Sequence, residues 1–118
     1  MSASISFGQN SRFKIGWIIL LIIAALMALG HFSMIFFLTD ELVLFAGLAA
    51  FNLYAFLVIY IPFRRGEKWA WVATWILPGL ALLIAATDPG IAIYYYGVAA
   101  VCVLGLLLTM RDFFSQAR

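Results

Sequence analysis

The segment Arg64-Arg65-Gly66-Glu67-Lys68-Trp69 separates two long apolar runs and contains three of the chain's seven basic residues. The other four lie before the first apolar run and after the last one: Arg12, Lys14, Arg111 and Arg118. The two remaining connectors, 39–41 and 87–90, contain acidic residues and no Lys or Arg. Basic residues in short loops are retained on the cytoplasmic side of a membrane. The alternation therefore predicts four membrane-spanning helices with both termini in the cytoplasm.

The composition favours the same fold class. The chain has 118 residues, of which 67% are hydrophobic and 10% are charged, whereas soluble domains average about 45–50% apolar and about 25% charged residues. We expect an all-α membrane protein, a four-helix antiparallel bundle that crosses the inner (cytoplasmic) membrane several times. Each predicted span is long enough to cross a hydrocarbon core of about 30 Å. The spans are 15–38, 42–63, 69–87 and 91–110, flanked by cytoplasmic segments 1–14 and 111–118.

Small and weakly polar residues recur at three- to four-residue spacing in the predicted helices. Helices associate in lipid by close packing of such residues, so these stripes predict the faces that meet. The clearest stripe, in the fourth span, comprises Tyr95, Val98, Cys102, Gly105 and Thr109. The first span offers Ala24, Ala28 and His31, and the second offers Ala49, Asn52 and Ala55.

Three polar residues are the candidates for a ligand-binding site. Counted at about 1.5 Å per residue from the non-cytoplasmic helix ends, His31 lies at a depth of about 12 Å, Asn52 at about 16 Å and Tyr96 at about 9 Å. These overlapping depths predict a polar cluster. An intramembrane histidine is often functional, but a neutral histidine that bonds neighbouring helices explains the same pattern.

The candidate cofactors follow from the single histidine. His31 by itself provides no multi-ligand metal site, and we predict neither a metal ion nor a resident cofactor. If a porphyrin or chlorin were present, His31 would be its one axial ligand; a quinone is the other candidate. The single cysteine, Cys102, excludes an intramolecular disulfide.

The basic residues indicate membrane lipids as a partner. Arg12, Lys14, Arg64, Arg65 and Lys68 are spread over two segments, which favours contact with anionic head groups and a topological role. They are too few and too dispersed for nucleic-acid binding. Other membrane-protein subunits, or further copies of this chain, are the expected protein partners.

The run Arg64-Arg65-Gly66-Glu67-Lys68-Trp69-Ala70-Trp71 resembles the middle loop of small bacterial four-helix membrane proteins, including the DoxX-like and related uncharacterised families. The resemblance covers these eight residues and the number of spans. It implies an integral membrane fold and no settled activity.

Three functions remain open from the sequence. The first is a non-catalytic accessory or scaffold subunit that packs against a larger membrane complex and binds lipids or pigments. The second is a small homo-oligomeric transporter or channel with a polar pathway near His31 and Asn52. The third is a quinone- or haem-linked redox anchor. No catalytic motif is present in the sequence, so we do not expect an enzyme.

Overall fold

A computed structural model describes residues 10–114, which form helices and short turns without a strand. The predicted segments 1–14 and 111–118 therefore lie partly outside the described residues, and Arg118 lies wholly outside them. Four helical spans, 11–37, 39–63, 68–87 and 92–114, are long and apolar enough to cross a membrane.

Five α-helices make up these spans. They are α1 (Ser11–Phe37), α2 (Leu42–Val58), α3 (Lys68–Thr74), α4 (Ile76–Thr87) and α5 (Ala92–Phe114). A 3₁₀ turn, Thr39–Glu41, precedes α2, and a π-helical turn, Ile59–Phe63, follows it. The first helix begins at Ser11 rather than Ile15, and the last continues beyond Met110 to Phe114. Three basic residues of the predicted terminal segments are therefore helical: Arg12, Lys14 and Arg111.

Proline explains where the second and third spans depart from regular α-helix. Pro62 lies in the π-helical turn and has no N–H to donate. In the same turn, the carbonyl of Ile59 accepts a hydrogen bond of 2.7 Å from Trp17 Nε1. Pro78 has no N–H to donate to the carbonyl of Thr74, four residues earlier. The third span is interrupted there, at Trp75, between α3 and α4. At the π-helical turn, a side chain of α1 thus bonds a backbone carbonyl of the second span, as an apolar surrounding favours.

Helix α1 packs against both α2 and α5, and α4 packs against α5. Helices α1 and α5 approach each other closely at Gly16 and Gly105. A Cβ atom at Gly16 would lie 2.7 Å from the carbonyl oxygen of Gly105, and one at Gly105 would lie 2.8 Å from Cγ of Leu20. Glycine at both positions lets the two backbones touch, which is how helices gain packing energy in lipid.

The basic residues within 10–114 lie at one end of the bundle, which we call the basic end. Rings from three separate segments meet there, because Phe63 lies 6.0 Å from Phe13 and 4.9 Å from Phe113 between centroids. Asn10 Nδ2 also donates to both carboxylate oxygens of the buried Asp112, at 2.9 and 2.7 Å. These contacts join the start of α1 to the end of the second span and the end of α5.

Replacing Gly16 by alanine tests the close approach of α1 and α5. We expect Gly16→Ala to lower the free energy of unfolding by about 1–3 kcal/mol, because the backbones must separate to admit the methyl group. Gly97→Ala in α5 is the control, since no atom lies within 4 Å of a Cβ there, and helix propensity alone makes it neutral or stabilising by up to about 1 kcal/mol. The measurement is reversible unfolding in mixed micelles followed by tryptophan fluorescence. Equal stabilities of the two variants would contradict the predicted packing.

Candidate polar site and cavity

His31, Asn52 and Tyr95 form a polar cluster between α1, α2 and α5. His31 Nδ1 lies 3.1 Å from Asn52 Nδ2, and His31 Nε2 lies 3.2 Å from the hydroxyl oxygen of Tyr95. The three side chains are buried, with 6%, 2% and 8% of their surfaces exposed. The structure therefore brings together His31 and Asn52, two of the three residues that the sequence analysis placed in one cluster.

The hydrogen-bond directions in this cluster follow from the amide of Asn52. One Nδ2 hydrogen goes to the carbonyl of Leu48, at 2.8 Å, and the other points to His31 Nδ1. On this geometry we assign Nδ1 as the acceptor nitrogen, which places the ring hydrogen on Nε2, where it is donated to Tyr95. Asn52 thereby selects one histidine tautomer.

Tyr96 was the wrong choice of tyrosine for this cluster. Its side chain is 53% exposed, whereas Tyr95 is buried and contacts His31. Successive residues of a helix point about 100° apart, since 3.6 residues complete one turn. A residue at a suitable depth can therefore face away from the bundle, and depth alone did not distinguish the two tyrosines.

A cavity of about 420 Å³ opens beside the cluster, towards the connectors that contain the acidic residues. We call it the acidic-end cavity. His31 and Tyr95 lie at its inner part, and Glu41 and Asp88 line it from the two connectors. Its other walls are apolar or weakly polar: Leu26, Met27, Gly30, Met34, Leu38, Phe45, Ile91 and Tyr94. The sequence analysis missed Glu41 and Asp88 as lining residues, although both were placed at the same membrane face.

Beyond the cluster, the open space narrows sharply. A void of about 20 Å³ extends between His31, Asn52 and Cys102, which is room for about one water molecule. At the basic end, the rings of Phe13, Phe63 and Phe113 are in contact and nearly fully buried. Among residues 10–114, the acidic-end cavity is thus followed by a void of water size beside the cluster and by packed rings at the basic end.

The predicted head-group residues lie on the surface. Arg12, Lys14, Arg64, Arg65 and Lys68 are all exposed. The guanidinium of Arg64 lies 5.2 Å from the ring centre of Trp17, and Lys68 Nζ lies 5.7 Å from that of Phe114. Such contacts hold a cation against an aromatic face while leaving it accessible.

The hydrogen bonds of His31 disfavour its use as an axial ligand of a porphyrin. Both ring nitrogens of His31 have hydrogen-bond partners, so axial ligation would require one of these bonds to break. Within residues 10–114, no group of three histidine, cysteine or acidic side chains is arranged to hold a metal ion. Hydrogen bonding to a ligand is the chemistry that the cluster offers most directly.

Comparison of this chain with known proteins identified no related protein. No protein-family model matches the chain, and no curated protein or solved structure matches it significantly. The resemblance to the DoxX-like families therefore stays a prediction.

Removing the hydroxyl of Tyr95 tests the cluster. Tyr95→Phe leaves the buried Nε2–H of His31 without its acceptor, so we expect a loss of roughly 0.5–2 kcal/mol in the free energy of unfolding. Tyr96→Phe is the matched control and should change stability by less than about 0.5 kcal/mol, as surface substitutions usually do. Thermal and denaturant unfolding in detergent give both values. A larger loss in Tyr96→Phe than in Tyr95→Phe would contradict the assignment.

Proposed function

We propose that this chain is a non-catalytic accessory subunit that binds a small lipophilic molecule in the acidic-end cavity and packs against a larger membrane complex. The observation that carries the proposal is an apolar pocket with a buried hydrogen-bonding group at its inner end. Ligand sites are typically concave and mostly apolar, with a few placed polar groups, and have volumes of about 300–1,000 Å³. The acidic-end cavity has each of these properties.

The orientation in the membrane is part of the proposal. Contacts between Phe13, Phe63 and Phe113 support an antiparallel arrangement of the spans, since the start of the first span meets the ends of the second and fourth. The basic end then faces the cytoplasm, with both termini, by the preference of Lys and Arg for that side. The acidic-end cavity opens on the opposite face of the membrane, which we take to be the cytoplasmic membrane of a bacterium.

Binding fits the geometry better than the transport alternative does. A carrier or channel formed by one bundle needs a route to the other side, but the space beyond His31 holds about one water molecule. A redox anchor with an axial histidine must break the cluster to bind its porphyrin. A quinone head group requires no such break and lies within the class of ligands that we propose.

Filling the cavity tests the proposed function. Gly30 lines the acidic-end cavity, and a Cβ atom there meets nothing within 4 Å, so a leucine occupies the space without moving the backbone. Gly47→Leu is the matched control, because Gly47 is equally open and does not line the cavity. Each protein is purified from its native membrane in mild detergent, and organic extracts are compared by mass spectrometry.

We expect a lipophilic molecule that co-purifies with the wild-type chain and with Gly47→Leu, and that falls at least about tenfold in Gly30→Leu, because the leucine takes its volume. Other membrane proteins, or further copies of the chain, should co-elute with all three. Identical extracts from all three proteins would contradict ligand binding. Elution of the chain only as a free monomer would contradict the accessory role.

A further inference from the structure

The mouth of the acidic-end cavity is negatively charged. Glu41 and Asp88 reach it from different connectors, so their charges converge on one opening. Neither connector contains a Lys or Arg that would neutralise them. Asp88 Oδ1 accepts a hydrogen bond of 3.1 Å from the backbone N–H of Gly90 within the same connector. The opening therefore attracts cations and repels anions, including fatty acids and anionic phospholipids.

The inner end of the cavity supplies a hydrogen-bond donor. Tyr95 is buried, with 8% of its surface exposed. Its hydroxyl oxygen accepts the Nε2–H of His31 in the assigned tautomer. With the ring hydrogen of His31 assigned to Nε2, the hydroxyl hydrogen of Tyr95 is left for another acceptor, and Tyr95 lines the cavity. A buried donor without an acceptor is costly, so a bound molecule with an acceptor oxygen gains affinity there.

The distance between these two features sets the length of the ligand. His31 and Leu38 both line the cavity and are seven residues apart on the first span and its end. At about 1.5 Å per residue, these two lining positions are about 10 Å apart along the first span, and we take this value as the approximate length of the cavity. Met34 and Phe45 form part of the apolar wall on the side of the mouth. An aromatic or aliphatic spacer of that length fills the space.

We propose that the acidic-end cavity binds a lipophilic cation whose charge lies at Glu41 and Asp88 and whose acceptor oxygen, about 10 Å away, bonds to the hydroxyl of Tyr95. The inference rests on the proposed function and specifies the chemistry of the ligand. The negative charge of Glu41 and Asp88 favours cationic over neutral and anionic lipophilic molecules. The hydrogen bond to the Tyr95 hydroxyl determines how deeply the ligand binds.

Three synthetic probes separate the two parts of this proposal. The first is an aryl ketone with a trimethylammonium group about 10 Å from the carbonyl oxygen, matching the cavity. The second is its uncharged tert-butyl isostere. The third keeps the ammonium group and replaces the ketone by an isopropenyl group, which has the same shape and no acceptor. Binding to the full chain is measured in nanodiscs of zwitterionic lipid, and the signal from empty nanodiscs is subtracted.

Three variants accompany the probes. The double variant Glu41→Gln/Asp88→Asn removes the charge at the mouth. Asp40→Asn is its control, since Asp40 lies beside Glu41 in the same connector and does not line the cavity. Tyr95→Phe removes the inner donor.

We expect the cationic ketone to bind about three- to tenfold more tightly than each of the other two probes. The double variant should abolish the preference over the tert-butyl isostere, whereas Asp40→Asn should keep it. Tyr95→Phe should abolish only the preference over the isopropenyl probe.

Equal binding of the cationic ketone and the tert-butyl isostere would overturn the assignment of charge while leaving the proposed function intact. Equal binding of the ketone and isopropenyl probes to the wild-type chain would overturn the role of Tyr95. If no probe bound above empty nanodiscs, the cation proposal would be rejected, and the extracts of Gly30→Leu and Gly47→Leu would decide the proposed function separately.

Discussion

The burial of one histidine in an apolar interior constrains the rest of the bundle. His31 is 6% exposed on the helix that packs against both α2 and α5, and its ring nitrogens need partners because no bulk water reaches them. Asn52 supplies a donor from α2 and Tyr95 supplies an acceptor from α5. Satisfying one side chain thus fixes the rotation of three helices relative to one another. The same arrangement of helices determines the shape of the acidic-end cavity and places the hydroxyl of Tyr95 at its inner end.

The two ends of the bundle differ in both charge and packing. At the basic end, phenylalanine rings in edge-to-face and tilted contact and the hydrogen bonds between Asn10 and Asp112 close the structure. At the acidic end, the spans separate around a cavity of about 420 Å³. This asymmetry is what a binding protein open to one side of the membrane requires. It also explains why the proposed ligand is defined by charge at the mouth and by hydrogen bonding inside.

The existence of four spans was predictable because hydropathy over about 20 residues is a property of the sequence alone. The meeting of His31 and Asn52 followed from their depths, since both also belong to stripes of packing residues. Depth alone was not enough to identify the tyrosine that contacts His31. The stripe in the fourth span contained Tyr95, yet depth favoured Tyr96, and only the rotation of α5 decides between adjacent residues. The bond between Asn10 and Asp112 joins residues 102 positions apart, and nothing in the local sequence indicates it.

The tautomer of His31 tests the central claim most directly, because His31 is the only histidine in the chain. The measurement is a long-range ¹⁵N–¹H correlation spectrum of the histidine-labelled protein, purified without a histidine tag. The account predicts one neutral tautomer in the wild-type chain, with the hydrogen on Nε2 and none on Nδ1. In Asn52→Leu, the two nitrogen signals should move towards the average of the two tautomers. Averaged nitrogen signals in the wild-type chain, as from a ring exchanging freely between tautomers, would contradict it.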